Sequence, residues 1–218
     1  MSMQLGDLRT DYQHQDGLLE ANMAASPIDE FKGWLSLAIA NSPGEWFEPT
    51  AMTLATVGPG GQPAARVVLL KEIDDANRFV FFTSYASDKA AELAANPQAT
   101  LAFYWGQLGR QVRIDGTVEK TDRETSAKYF ATRPRSSQLG AVASDQSHEV
   151  TSRETLEAAL AAAEAKYEGQ DVPVPDDWGG YQLTPTRLEF WQGRPNRLHD
   201  RLVYQREGDG WAIRRLGP

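Results

Sequence analysis

AMTLATV (51–57), GPGG (58–61), ARVVLLKEI (65–73) and RFVFFTS (78–84) together decide the fold. The first and third pieces read as strands joined by a tight glycine-rich turn, and the fourth adds a strand after the Asp74–Asn77 turn. Downstream, Ser87 opens a short helix, SDKAAELAANP, closed by Asn96-Pro97. TLAFYW (100–105) and RQVRIDGTVEK (110–120) make a further strand pair. Loops this short favour antiparallel neighbours.

Outward from this centre, the apolar period turns helical. Ser26 suits an N-cap, Pro27 the first helical position and Asp29 a capping-box acid; Ile28, Phe31, Trp34, Leu35 and Ile39 form one face. Further helices are expected over 122–131, with Thr121 as N-cap and Glu124 three residues on, over roughly 135–143, and within 151–169. DVPVPDDWGG (171–180) is a Pro/Gly connector that a helix cannot cross. The ending has three strand-like runs, RLEFWQG, RLVYQRE and WAIRRL. Central strands, peripheral helices and no regular βαβ alternation predict an α+β, mainly β chain: a closed or nearly closed antiparallel barrel carrying helices. Residues 1–25 read as a polar arm, and 26–218 as a single domain.

The chain has 218 residues, 41% of them hydrophobic and 24% charged, which excludes a disordered or fibrous protein. No apolar run reaches the ~18 residues of a membrane span, and MSMQLGDLRTDYQHQDG does not read as a secretory signal. A cytoplasmic setting is therefore expected. Cysteine is absent, which removes disulfides, thiolate nucleophiles and Cys-ligated metals. A net charge of -8 argues against nucleic acid as partner. The three histidines, His14, His148 and His199, have no metal-ligand spacing, so no metal is expected. GPGG lacks the Lys-Ser/Thr of a phosphate loop, and neither G-x-G-x-x-G nor G-x-S-x-G occurs.

The cations are clustered. Seven arginines (187, 194, 197, 201, 206, 214, 215) fall among only four acids (Glu189, Asp200, Glu207, Asp209). That points to a local anion site, or to arginines that pair with surface acids. Three groups are anion-competent. Arg66 and Lys71 flank VVLL, five residues apart, and need a twist or bulge to share a strand face. Tyr129, Arg133 and Ser137 can supply a fork and two hydroxyls to one phosphate. Arg197, His199 and Arg201 alternate at period two, so on a strand they share one face.

These segments resemble the pyridoxine/pyridoxamine 5′-phosphate oxidase family over nearly the whole chain. The resemblance rests on RVVLLK (66–71), FFTS (81–84), SxKA (87–90), RQVRI (110–114), KYFxxRPRxSQxGA (128–141), SxQS (144–147), WGG (178–180) and EFWQGxxxRLHDR (189–201). It implies an antiparallel FMN-binding split β-barrel and a homodimer with FMN at the interface. The implied FMN ligands are Arg66, Val67, Val68, Leu69, Leu70, Lys71, Phe82, Thr83, Lys89, Gln111, Gln146, Ser147, Trp191 and Arg201. The implied substrate ligands are Lys71, Tyr129, Arg133 and Ser137 for the phosphate, Arg197, Leu198 and His199 at the ring, and Arg9, Thr10, Asp11 and Tyr12 from the arm. Arg197, His199 and Tyr12 are the implied catalytic residues, with His199 as proton acceptor.

The implied reaction oxidises pyridoxamine 5′-phosphate or pyridoxine 5′-phosphate to pyridoxal 5′-phosphate by hydride transfer to FMN. O2 then accepts the electrons as hydrogen peroxide. Two phosphates, each of roughly -1.5 to -2 charge, call for two basic sites. Alternatives are a related flavin oxidase acting on another ring, or a non-catalytic flavin- or pyridoxal-phosphate-binding protein. Two positions depart from the family pattern. Asp88 stands where an arginine is usual and is expected to turn outward, and Glu48 stands where an aspartate is often found.

Overall fold

Ser26 starts the first helix as its spacing predicts. Its hydroxyl accepts from the backbone N–H of Ile28 (3.2 Å) and Asp29 (3.4 Å), and the helix α1 runs Pro27–Ala40. The computed structural model describes Tyr12 and residues 17–218. Arg9, Thr10, Asp11 and His14 lie outside the described residues. After α1 the order is β1 (Ala51–Val57), β2 (Pro63–Leu69), β3 (Glu72–Ile73), β4 (Phe79–Ser84), α2 (Asp88–Ala95), β5 (Gln98–Trp105) and β6 (Arg110–Lys120). There follow α3 (Arg123–Thr132), α4 (Arg135–Ala143), α5 (Arg153–Lys166), β7 (Trp178–Gln192), β8 (Asp200–Glu207) and β9 (Gly210–Arg215). The hydrogen-bonded strand order is β2-β1-β5-β6-β7-β4-β3, with β8 between β7 and β9. Among the described residues no helix is long and apolar enough to cross a membrane.

The chain packs into two compact units. One holds the described residues up to Thr53, Thr100–Asp115 and Pro185–Pro218. Here α1 buries Ile28, Phe31, Trp34 and Ala38, with Phe31 edge-on to Phe103 and Trp34 edge-on to Phe190. Ile39, expected in that face, is 54% exposed. It follows Ala38, and a step of about 100° turns it off the stripe. β7 pairs antiparallel with β8 (Trp191 opposite Arg201), and β8 with β9. Part of the expected arm is tied down in this unit: Tyr204 Oη donates to the Ala24 carbonyl (2.6 Å), and Leu18 N–H donates to Asp200 (3.1 Å).

The other unit holds Leu54–Ala99 and Gly116–Thr184. The glycine turn closes as expected: Gly58 N–H donates to the Gln62 carbonyl, and Gly61 takes φ +79°. The strand expected over 65–73 is broken. β2 ends at Leu69 and β3 begins at Glu72, while Lys71 N–H donates to Val80. The interruption, with β2 beside β1 and β3 beside β4, lets Arg66 and Lys71 line one cleft. Two helix starts also differ. Asp122, not Thr121, caps α3 by accepting from Thr125 N–H. The Ser87 hydroxyl does not cap α2 but donates to the Ser84 carbonyl.

Gly179 and Gly180 open the start of β7 to its neighbours. Gly180 lies opposite Phe82 and Gly179 opposite Thr83. A Cβ on Gly180 would come within 2.6 Å of Thr121 Oγ1 and 2.8 Å of the Phe82 ring. Gly180→Ala should therefore cost about 1–3 kcal/mol through overpacking. Thermal melting is expected to show a midpoint several degrees lower; an unchanged midpoint would mean that Phe82 and Thr121 yield freely.

Candidate functional site

A cleft of about 770 Å³ opens in the second unit. Four cations line it, Arg66, Lys71, Lys89 and Arg133, and among the described residues no carboxylate does. In a chain of net charge -8 this is a concentrated positive field. Of the expected ligands, Arg66, Val67, Val68, Leu69, Lys71, Phe82, Thr83, Lys89, Gln146, Tyr129, Arg133 and Ser137 all line this one cleft. Leu70 is buried and does not line it. Ser147, at φ +74°, instead accepts from Asp88 N–H.

Lys89 is the most constrained cation. Its side chain runs inward from the first turn of α2, and Nζ donates to Gln146 Oε1 (2.6 Å) and Thr83 Oγ1 (3.2 Å), both neutral. Burial, helped by the nearby Arg66 charge, holds its pKa below the usual lysine value, against the opposing pull of Asp88 and Glu92. Asp88 is exposed and does not line the cleft, in keeping with the expected outward turn. Arg66 is held differently. It pairs with Glu92 at 2.7 Å and bonds Thr56, whose hydroxyl also donates to Glu92. Burial alone would raise the Glu92 pKa, but the Thr56 and Arg66 hydrogen bonds bring it below the usual value.

Tyr129, Arg133 and Ser137 line the cleft together across the junction where α3 ends at Thr132, Arg133 is extended and α4 starts at Arg135. The Tyr129 ring stacks on Phe82 (3.9 Å between centroids), and Phe82 stacks on Trp178 (5.5 Å). Arg133 lies over Trp178 (4.8 Å), and its buried Nη1 has no hydrogen-bond partner. Burial pushes the Arg133 pKa down, opposed by Tyr129. Arg135 takes no part in this group: its guanidinium donates to the Gln170 and Tyr167 carbonyls.

Gln111, Trp191, Arg197, Leu198, His199, Arg201 and Tyr12 belong to the first unit. There the rings of Tyr12, Trp191 and His199 cluster, with centroids 4.7–5.6 Å apart. His199 Nδ1 accepts from Arg194 N–H (3.1 Å), so a neutral ring carries its proton on Nε2. The expected strand carrying Arg197, His199 and Arg201 on one face is not formed. Pro195–Arg197 is a 3-10 turn, with Asn196 (φ +57°) and Arg197 (φ +62°) left-handed, and only Arg201 lies on β8.

Most of the C-terminal arginines pair with acids. Arg187 and Arg201 share the buried Glu189, Arg194 meets Asp200, Arg214 meets Glu207, and Arg215 meets Glu20 and Asp200. Arg197 is exposed and makes no ion pair among the described residues. Glu48 accepts from Thr50 Oγ1 (2.6 Å), which closes a local turn.

Sequence reasoning missed three contributors: Trp178, and the Glu92–Thr56 pair that orients Arg66. The WGG motif did carry a signal for the first, since two strand glycines announce a close neighbour. Nothing linked Thr56 to Arg66 before the strands were paired.

An antiparallel β scaffold carrying a cation-lined cleft sets the class of protein, and the relatives narrow it. Residues 45–167 match the family described as pyridoxamine 5′-phosphate oxidase, and 178–218 the pyridoxine 5′-phosphate oxidase C-terminal dimerisation region. The chain is 56% identical to the pyridoxine/pyridoxamine 5′-phosphate oxidase of Thermosynechococcus vestitus, over 98% of this chain and 99% of that protein. It is 52% identical to that of Rubrobacter xylanophilus, over 98% and 96%. Among solved structures, PhzG from Burkholderia lata, in complex with tetrahydrophenazine-1-carboxylic acid, aligns with a TM-score of 0.85 at 32% identity, covering 93% of this chain and 98% of that one. An FMN-binding protein of Nostoc punctiforme shares the fold at a TM-score of 0.70 and 18% identity, covering 90% of this chain and all of that one. The chain belongs to the pyridoxine/pyridoxamine 5′-phosphate oxidase family, and its fold is the split barrel the sequence led us to expect.

The depressed Lys89 pKa has a sign that can be measured. Between that value and the unfolded value of 10.5, the unfolded chain binds more protons, so stability of the flavin-free protein should rise with pH in this window. Lys89→Met should flatten the rise. It should also remove most of the gain in melting temperature that added inorganic phosphate gives the parent. An equal phosphate response in both proteins would take Lys89 out of the anion site.

Proposed function

We propose that this chain is an FMN-dependent oxidase that converts pyridoxamine 5′-phosphate and pyridoxine 5′-phosphate to pyridoxal 5′-phosphate, with O2 as final electron acceptor. The observation that carries the reading is the cleft. Of its four cations Arg66 is paired with an acid, Glu92, and the charge of the others is costly to bury unless anions enter; the family's substrates carry a phosphate. The residues fit a phosphate-bearing cofactor: Lys89 has only neutral direct partners, and Arg66 stands beside it. Val67, Phe82, Thr83, Gln146 and Ser147, with Gln111, Trp191 and Arg201, complete the FMN set. When bound, FMN supplies the two-electron acceptance the oxidation needs and passes the electrons to O2.

The substrate phosphate falls to Lys71, Tyr129, Arg133 and Ser137. Their charge-assisted bonds lie away from the reacting carbon, so their energy serves alignment rather than chemistry. Arg197 and His199 take the ring. With Nδ1 committed to Arg194 N–H, His199 presents Nε2–H and donates to the ring oxygen. A proton-acceptor role would require it to release that amide. Tyr12 packs edge-on against His199 and holds the imidazole in place.

The match of residues 178–218 to a dimerisation region, together with the exposed Leu198 (68%), supports a homodimer. A phosphorylated B6 substrate fits better than a ring acid such as the PhzG ligand, because a dianion answers more of the cleft's charge.

Purified protein should be yellow, release FMN on denaturation, and, given pyridoxamine 5′-phosphate, O2 and water, form one hydrogen peroxide and one ammonia per pyridoxal 5′-phosphate. Arg197→Met should lower turnover at least tenfold with FMN content retained. Flavin without peroxide would favour the carrier reading, and normal turnover in the variant would remove Arg197 from the site.

A further inference from the structure

Arg133 sits at an unusual junction. It is the C-cap residue of α3, one turn past Tyr129, and among the described residues it has no carboxylate partner. What it does have is an aromatic face: its guanidinium carbon is 4.8 Å from the centroid of Trp178 and 5.5 Å from that of Phe130. Trp178 is held from two sides. Its ring is buried in a cluster with Phe130, Leu139 and Val172, parallel to Phe82 within 10°. Its carbonyl accepts from Arg123, which also ties down the Val174 and Pro175 carbonyls. Tyr129 in turn stacks on Phe82 within 15°. The two anion donors of α3 thus stand on one aromatic column built from β4 and β7.

We infer that Trp178 is a positioning residue for phosphate, acting through Arg133: its ring face fixes the guanidinium by a cation–π contact while leaving the donors unspent. A carboxylate partner would fix Arg133 equally well but would cancel the charge the anion needs. An aromatic face orients the cation and keeps its positive field. The unpartnered, buried Nη1 fits this arrangement, since a donor left unmet within the protein is one that an incoming oxygen can satisfy. Specificity for a phosphate ester over its free alcohol then depends on a tryptophan that need not touch the substrate. The inference rests on the reading that Arg133 binds the substrate phosphate.

The test uses the FMN-loaded protein with inorganic phosphate as probe, read by calorimetry, and the KM for pyridoxamine 5′-phosphate beside it. Trp178→Leu should weaken phosphate five- to tenfold and Trp178→Phe two- to threefold, because a smaller ring retains part of the contact. In the Trp178→Leu/Arg133→Ala double variant, phosphate should bind no more weakly than in Arg133→Ala alone, within twofold. Should the leucine variant fail to fold, fluorinated tryptophans inserted at position 178 keep the ring's size and withdraw its charge. Affinity should then fall stepwise with each added fluorine. Unchanged affinity across the fluorinated series, or fully additive losses in the double variant, would reduce Trp178 to a space-filling residue and overturn the proposal. If Arg133→Ala itself binds phosphate as the parent does, the assignment of Arg133 fails as well, and that outcome is distinct from the other two.

Discussion

The site turns on one electrostatic arrangement: Arg66, Lys71, Lys89 and Arg133 line a single cleft, and of these Arg66 is paired with an acid, Glu92, which lies outside the lining. Lys89 is the clearest case, an inward ammonium whose hydrogen-bond partners are an amide and a hydroxyl. Such a group is unfavourable in the empty protein and becomes favourable only with an anion. Elsewhere several arginines meet acids. Glu189 alone serves Arg187 and Arg201, and Asp200 serves Arg194 and Arg215. Lys89 and Arg133 differ from these arginines in making no ion pair among the described residues.

Backbone architecture serves that constraint. Pairing β4 with the first residues of β7 puts Phe82, Thr83 and Ser84 opposite Gly180, Gly179 and Trp178. The two glycines leave room for Thr121, Tyr85 and Ser126 to close on the strand, and the tryptophan supplies the floor beneath Arg133. The break between β2 and β3 lets Arg66 and Lys71 both line the cleft, which an unbroken strand could not do.

Much of this was legible beforehand. The strand bounds at 51–57 and 110–120 and the helix at 135–143 follow from local period and propensity, and the structure repeats them. The grouping of Tyr129, Arg133 and Ser137 was legible from residue type and nearness in sequence, since a fork and two hydroxyls suit one phosphate. What was not legible depends on distant partners or on backbone geometry without a side-chain signature. Arg187 finds Asp115, 72 residues away, and Arg215 finds Glu20, 195 residues away, so a run of arginines looked freer than it is. The period-two spacing of Arg197, His199 and Arg201 was a coincidence of numbering. Gly193, Pro195 and Asn196 are turn residues, and the chain takes two left-handed steps there instead of continuing a strand.

On the proposed function, the cleft holds phosphate. Two or more charge-assisted hydrogen bonds at about 1.5–3 kcal/mol each imply a preference of at least ~100-fold for a phosphorylated ligand over its dephosphorylated counterpart. Dissociation constants of pyridoxamine 5′-phosphate and free pyridoxamine, measured on the flavin-loaded protein in the same buffer, test this directly. The account predicts that the ester binds at least 100-fold more tightly, with the gap narrowing as salt is added. Affinities within threefold of each other would contradict it.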